Sequence, residues 1–148
     1  MGVFMKICSW NINSIRLRES QVLRVLKDQC PDVICLQECK SPIEKIPTQG
    51  FCDLGYEHMI ARGQKGYNGV AIFSKIPIAD EFSIDFADLK HARHIAGHLE
   101  NGFVIHNFYV PAGGDEPNIL TNVKFAQKLA FLDAMKNCFD LNKPKKAI

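Results

Sequence analysis

A layered α/β sandwich is the architecture this 148-residue chain predicts. Three patterns point to it. Short apolar runs read as buried strands, two stretches carry helical spacing, and an Asn-Gly step lies between two strand-like runs. Helices and strands mixed along the chain, with several antiparallel hairpins, favour layered packing. No internal repeat, low-complexity tract or linker interrupts the pattern, and the length suffices for one domain, residues 1–148, with a real core.

The elements follow in order. Met5 to Trp10 reads as a strand. From Arg18 to Cys30, Val22, Leu23, Leu26 and Cys30 share one face while Arg24, Lys27 and Asp28 turn away, which predicts an amphipathic helix that Pro31 ends. Val33 to Leu36 is a second buried strand. Ile43 to Gln49 is a short helix or a set of turns. Tyr56 to Ala61 and Gly69 to Ser74 read as paired strands joined by the glycine-rich turn from Gly63, where glycines allow positive φ and a close ligand approach.

Ile76 to Ile84 adds a strand. Arg93 to Leu99 and Phe103 to Tyr109 flank Glu100-Asn101-Gly102, a strong hairpin signal. After a loop to Pro117, Thr121 to Asp140 predicts a helix with an apolar stripe of Phe125, Leu129, Leu132, Met135 and Phe139. Lys143 to Ile148 reads as a helix-to-strand connection followed by a strand just begun, so the sequence is expected to be the N-terminal part of a longer domain.

Composition bounds the function classes. Apolar residues make up 47% and charged residues 23%, as in soluble globular proteins. A net charge of +2 is too small to imply nucleic acid by itself. Arg16, Arg18, Lys40, Arg62 and Lys65 nevertheless gather in or beside the loops described next. The six cysteines form no CxxC pair and no zinc-ligand spacing, which predicts buried reduced thiols. No apolar run approaches a membrane span and the N-terminus lacks signal-peptide features, so a cytoplasmic chain without a membrane partner is expected.

The chemistry gathers in two runs, Trp10-Asn11-Ile12-Asn13-Ser14-Ile15-Arg16 and Leu36-Gln37-Glu38-Cys39-Lys40. Each ends a buried strand, and a helix lies between them. A strand, a helix and a second strand bring an amide (Asn11) and a carboxylate (Glu38) to one sheet edge, where open sheets carry their chemistry. Carboxylate plus neutral oxygens and waters is the donor set of a hard divalent cation. His91, His94 and His98 are spaced by three and four, but the strand pattern of Arg93 to Leu99 sets His94 and His98 on one face and leaves His91 outside, which argues against a metal cluster.

These runs resemble the first two signature motifs of the exodeoxyribonuclease III family, magnesium-dependent nucleases and abasic-site endonucleases within the endonuclease/exonuclease/phosphatase superfamily. The resemblance extends through Gly63-Gln64-Lys65-Gly66-Tyr67-Asn68-Gly69-Val70-Ala71-Ile72 and Asn107-Phe108-Tyr109-Val110-Pro111-Ala112-Gly113-Gly114. Four motifs in family order are a specific signal. The resemblance implies a DNase I-like sandwich, of which the chain carries the N-terminal half. Its usual start matches Met5, making Met1 to Phe4 a short extension.

It further implies that Glu38 binds catalytic Mg2+ (with Mn2+ a possible substitute), that Asn11 helps organise the metal and the scissile phosphate, and that Tyr109 donates a hydrogen bond in the active site. Asn13 is a lesser candidate in the same loop. Arg16, Lys40, Lys65 and Arg93 are the candidate DNA-phosphate contacts, cations that supply affinity without reading sequence. Two departures stand out: Cys39 replaces the more usual threonine, and His98 stands where the family often has an acidic residue.

The expected partner is double-stranded DNA, especially abasic or 3′-blocked ends, and the expected reaction is phosphodiester hydrolysis. The family's Gly-Asp-Leu-Asn and Ser-Asp-His motifs do not occur in these residues. The chain alone is therefore expected to be inactive, and a complementing C-terminal fragment is a possible partner. Two alternatives stand beside this reading: a superfamily phosphatase or phosphodiesterase on a non-DNA substrate, and a non-catalytic half-domain.

Overall fold

The computed structural model describes residues 4–141 and 147–148. The readings for residues 1–3 and for the connection over 143–146 lie outside the described residues. The alternation of buried runs resolves into two sheets. In the first, β1 (Ile7–Asn11), β2 (Val33–Gln37), β3 (His58–Arg62) and β4 (Val70–Ser74) lie in the order β1-β2-β4-β3. β1 and β2 are parallel, with α1 (Ile15–Gln29) as their crossover, and both flanking pairs of β4 are antiparallel. In the second, β5 (Ile78–Phe82), β6 (His94–Leu99) and β7 (Val104–Phe108) are antiparallel, with the Asn101-Gly102 turn closing the last pair.

All five residues of β2 and of β4 are buried, because these central strands are covered on both faces. On one side, Ile34, Leu36 and Phe73 pack with Ile15, Val22 and Leu26 of α1. On the other, Cys35, Val70 and Ile72 meet Ile95, Leu99 and Ile105 of the second sheet. Beyond that sheet lies α3 (Val123–Leu141), whose Phe131 and Phe139 rings approach Phe86 and Phe108. Helix, sheet, sheet and helix thus stack as the expected layered sandwich. α2 (Gln49–Cys52) is a single turn at the α1 side, where Phe51 stacks on Phe73 at 3.8 Å.

Several details depart from the sequence pattern. α1 starts at Ile15, three residues before the expected Arg18, and has no side-chain cap. Its first N–H groups go instead to the second motif: Ser14 and Ile15 donate to the carbonyls of Glu38 and Cys39. Tertiary partners satisfy groups that propensity leaves open. In α3, Leu129 is exposed and Phe131 is the buried residue, so the stripe is rotated from the expected one toward the aromatic face of the second sheet. β3 begins at His58 because Tyr56 turns inward, its hydroxyl donating to the Pro31 carbonyl at 2.6 Å. The thiols differ too: only Cys35 and Cys39 are buried, while Cys30 and Cys52 are exposed.

Ala147 pairs in parallel with Val104 on the free edge of β7, so the end of the described chain lies along a strand as expected. Among the described residues, no helix is long and apolar enough to cross a membrane.

Candidate active site

The strand register brings the motifs level. Asn11 is paired with Gln37, and Gln37 with Val70, so Asn11, Glu38 and Gly69 reach the same edge of the first sheet. In the second sheet His94 pairs with Phe108, which sets Arg93 and Tyr109 side by side one residue further on. The backbone here is unusual. Asn13, Ser14, Glu38, Lys40 and Asn68 all have positive φ, between 48° and 94°. Each such residue costs of order 1 kcal/mol or more, and clustered strain of this kind marks functional sites.

Hydrogen bonds between loops hold that conformation. Cys39 and Lys40 donate to the carbonyls of Gly69 and Asn68 at 3.0 and 2.9 Å, and Gly69 donates to Ala92 at 3.0 Å. Gly69 has a φ of +89°, and a Cβ there would sit 3.3 Å from the backbone nitrogen of Lys40. At Gly63 a Cβ would lie 2.6 Å from the Ile43 nitrogen, so this glycine lets two chain segments touch.

Glu38 is the hub. Its Oε1 accepts from Asn11 Nδ2 at 2.8 Å and from the Tyr109 hydroxyl at 2.9 Å. Its Oε2 lies 3.2 Å from Lys40 Nζ. The Asn11 hydrogen bond above all, with those of Tyr109 and Lys40, holds the carboxyl below its ordinary pKa against the opposing effect of burial. Tyr109 is shifted up, first by burial and then by its bond to Glu38, so the phenol keeps its proton. Arg93 lies over the Tyr109 ring at 4.6 Å, donates to the Tyr109 carbonyl at 3.2 Å and to His91 Nδ1 at 3.3 Å. Asn11, Glu38, Lys40, Arg93 and Tyr109 therefore form one cluster. Arg16 and Lys65 are exposed and, among the described residues, their side chains make no hydrogen bond or ion pair.

The donor chemistry suits a hard cation that keeps most of its waters. Asn11, expected as a ligand, is oriented by two hydrogen bonds. Its Nδ2 faces Glu38, and its Oδ1 accepts the Asn13 N–H at 3.3 Å; the reversed amide would set oxygen against oxygen and donor against donor. The neutral side-chain oxygen that already faces a cation belongs to Asn13, whose Oδ1 accepts from the Lys40 ammonium. Among the described residues no three His, Cys, Asp or Glu side chains converge on a metal position, so such an ion would rest on Glu38, neutral oxygens and water.

One residue behind the cluster escaped the sequence reading as a functional part. Asn107, 1% exposed, donates to the carbonyls of Leu36 and Ala71, both at 2.9 Å, and accepts from Gln37 Nε2 at 2.7 Å. This amide ties β7 to the two central strands of the other sheet, directly behind Glu38. The signal was present: an amide within an apolar strand, two residues before Tyr109. Beside Tyr109 opens a cleft of about 350 Å³, lined by His91, Arg93, Gly113, Lys124 and Gln127 among others.

The histidines lie elsewhere. His94 and His98 do share a face of β6, where both approach Phe82. His94 is buried and bonds His106 at 3.1 Å, a partner that the sequence spacing did not reveal.

Residues 8–139 match the family model described as the Endonuclease/Exonuclease/phosphatase family. Exodeoxyribonuclease III of Haemophilus influenzae is 38% identical over 115 residues, covering 74% of this chain and 42% of the relative. The structure of a 3′ phosphatase, NExo, from Neisseria bound to product DNA hairpin superposes with a TM-score of 0.83 at 32% identity, covering 97% of this chain and 54% of that one. An AP endonuclease from Archaeoglobus fulgidus gives a TM-score of 0.81 at 34% identity, covering 92% and 51%. The chain thus spans about half the length of these proteins.

Proposed function

This chain belongs to the endonuclease/exonuclease/phosphatase family, and on that premise we propose that it forms the metal- and phosphate-holding part of an exodeoxyribonuclease III-like DNA repair nuclease. In this reading residues 1–148 form the N-terminal part of one domain of this type, whose remainder bears the Gly-Asp-Leu-Asn and Ser-Asp-His motifs. The substrate is duplex DNA with an abasic site or a blocked 3′ end, and the cation is Mg2+ with Mn2+ as substitute. The observation that carries the reading is the convergence of Asn11 and Tyr109 on one oxygen of Glu38, at 2.8 and 2.9 Å. Cysteines with neither CxxC nor zinc-ligand spacing suit a reducing cytoplasm, to which we assign the chain.

Glu38, with neutral oxygens beside it, holds the divalent ion, which when bound supplies positive charge to the phosphate and leaving oxygen. Asn11 fixes the carboxylate by donating to Oε1. Tyr109 acts as a neutral donor: its raised pKa keeps on the phenol the proton now given to Glu38 Oε1, which an arriving phosphate oxygen would take over. Arg93 orients the Tyr109 ring and adds a half-buried positive charge next to the cleft. Lys40 adds a second. Removing a proton from the attacking water needs a base. The family resemblance assigns that base to the Gly-Asp-Leu-Asn and Ser-Asp-His motifs, which do not occur in residues 1–148.

The test is cleavage of abasic and 3′-phosphate-ended duplexes with Mg2+. One arm uses the chain alone; the other adds a separately expressed polypeptide bearing the Gly-Asp-Leu-Asn and Ser-Asp-His motifs. Cleavage only in the mixture, and its loss by 100-fold or more (~10²) with Glu38→Gln, is expected. Rapid cleavage by the chain alone removes the need for a partner. A mixture that binds and cuts no DNA removes the nuclease assignment.

A further inference from the structure

The carboxylate of Glu38 has two unequal oxygens. Oε1 is saturated by Asn11 and Tyr109 at 2.8 and 2.9 Å. Among the described residues Oε2 has only the Lys40 ammonium, at 3.2 Å. The same ammonium donates to Asn13 Oδ1. One negative and one neutral oxygen, from the tips of two strands, are thus turned toward a single cation. That cation is a lysine.

A hard divalent ion seeks the same kind of oxygen pair. We infer that Lys40 is a resident counter-ion in the seat that Glu38 and Asn13 offer to a divalent cation, and that the incoming ion displaces it. Three features favour exchange over a fixed ion pair. The contact to Oε2 is longer than the 2.7–2.9 Å or so of a tight charge-assisted bond. The two side chains keep 31% and 20% of their surface accessible, so water and ions reach them. Lysine carries its charge at the end of a flexible four-carbon stem and can swing aside without moving the backbone.

The backbone is built for this arrangement. Glu38 and Lys40, with φ of 54° and 49°, flank Cys39, whose side chain is buried at 1% exposure. Cys39 anchors the turn inward while its two neighbours project outward together. Without the ion, Lys40 neutralises Glu38 and keeps the loop in place. With it, the displaced ammonium is free for a phosphate of the bound strand. The residue therefore has opposite effects on the two ligands: it weakens divalent-cation binding and strengthens DNA binding.

This inference rests on Glu38 holding the cation in the proposed function, and its test separates the two. Mn2+ is titrated into the full chain, with free Mn2+ followed by electron paramagnetic resonance. Lys40→Met is expected to bind Mn2+ about five-fold tighter or more, the equivalent of losing a half-exposed ion-pair competitor worth ~1 kcal/mol. Lys40→Gln, which keeps a donor for Asn13 without the charge, falls between. Asn13→Ala binds Mn2+ more weakly. With the cation seat saturated by Mg2+, Lys40→Met binds an abasic duplex more weakly, with the salt slope shallower by about 1.

The wild-type chain supplies a second readout that needs no variant: the Lys40 Cε and Hε resonances shift on Mg2+ addition, with the midpoint of Mg2+ binding. Unchanged or weaker Mn2+ affinity in Lys40→Met, a wild-type chain that binds no Mn2+, or Lys40 resonances indifferent to Mg2+ each overturn the inference. Tighter Mn2+ binding without any DNA affinity upholds it and sinks the nuclease reading instead.

Discussion

Glu38 at the sheet edge and His94 in the aromatic layer under α3 are both pulled to lower pKa, yet one ends charged and the other neutral. At the edge the cause is donors: Asn11 first, with Tyr109 and Lys40, stabilises a carboxylate that still meets solvent. In the layer the cause is burial first, then the neighbouring His106 and Arg62, which brings His94 down to about 4. The Ile84 N–H donates to His94 Nδ1 at 2.9 Å, so the ring carries its proton on Nε2 and gives it to His106 Nδ1 at 3.1 Å. Rings of Phe86 and Phe108 close over the pair. The difference teaches where ion chemistry can occur. A polar group with donors and water keeps its charge for a ligand, while one enclosed by rings becomes part of the packing.

The largest expected effect probes what supports the edge from behind. Asn107→Leu removes the amide that serves Leu36, Ala71 and Gln37 at once. Buried partners left unpaired make this cost about 3–4 kcal/mol in urea unfolding. A loss under about 1 kcal/mol would mean that the two sheets hold the edge without their amide tie.

Acid tests the layer next. An unfolded histidine takes a proton near 6.5, whereas folded His94 resists until about 4. The unfolded state therefore binds more protons between these values. Stability is fully present above 6.5 and declines as the pH falls toward 4, by about 2–3 kcal/mol in total. His94→Asn, which keeps an acceptor for Ile84 but does not titrate, flattens this decline. A wild-type urea midpoint that stays level from pH 7 to 4.5 would break the contrast between edge and layer.

Much of the edge was legible in the sequence because its chemistry is local. Asn11 ends β1, an edge strand that is only partly buried against the expectation, and Glu38 follows the buried β2; the helix between them lets the two strands run parallel, so their tips meet. Tyr109 and Arg93 were marked by the family resemblance alone; the hairpin, pairing His94 with Phe108, is what sets them side by side. What stayed hidden depends on contacts distant in the chain. The rotation of α3 onto Phe131 is set by Phe86, and the role of Asn107 by carbonyls of two other strands. The early start of α1 depends on carbonyls supplied by the second motif. His94 looked like one of three spaced histidines, but its partner, His106, lies across the hairpin.

Arg93 offers a finer probe of the edge. Its planar fork stacks on Tyr109 and reaches both a carbonyl and His91. Lysine can provide the charge without that geometry. Arg93→Lys is expected to cost about 1 kcal/mol in urea unfolding and to speed flipping of the Tyr109 ring in NMR spectra. An unchanged ring-flip rate would show that Tyr109 is held by Glu38 and packing alone.

The smallest effects belong to Arg16 and Lys65, the two expected phosphate contacts that stand outside the cluster. Both are exposed and form no ion pair among the described residues, so neither Arg16→Ala nor Lys65→Ala should change stability by more than about 0.5 kcal/mol. Whether either meets DNA is read from the salt dependence of binding. A phosphate contact removed lowers the salt slope by about 1, whichever base is nearby. If both variants lose that unit, the DNA track extends from Lys40 along the first sheet's loops. If neither does while Arg93→Ala does, the strand lies over the Tyr109 cleft instead. The second pattern is the expected one, because Arg93 and Lys124 line that cleft and Arg16 and Lys65 do not.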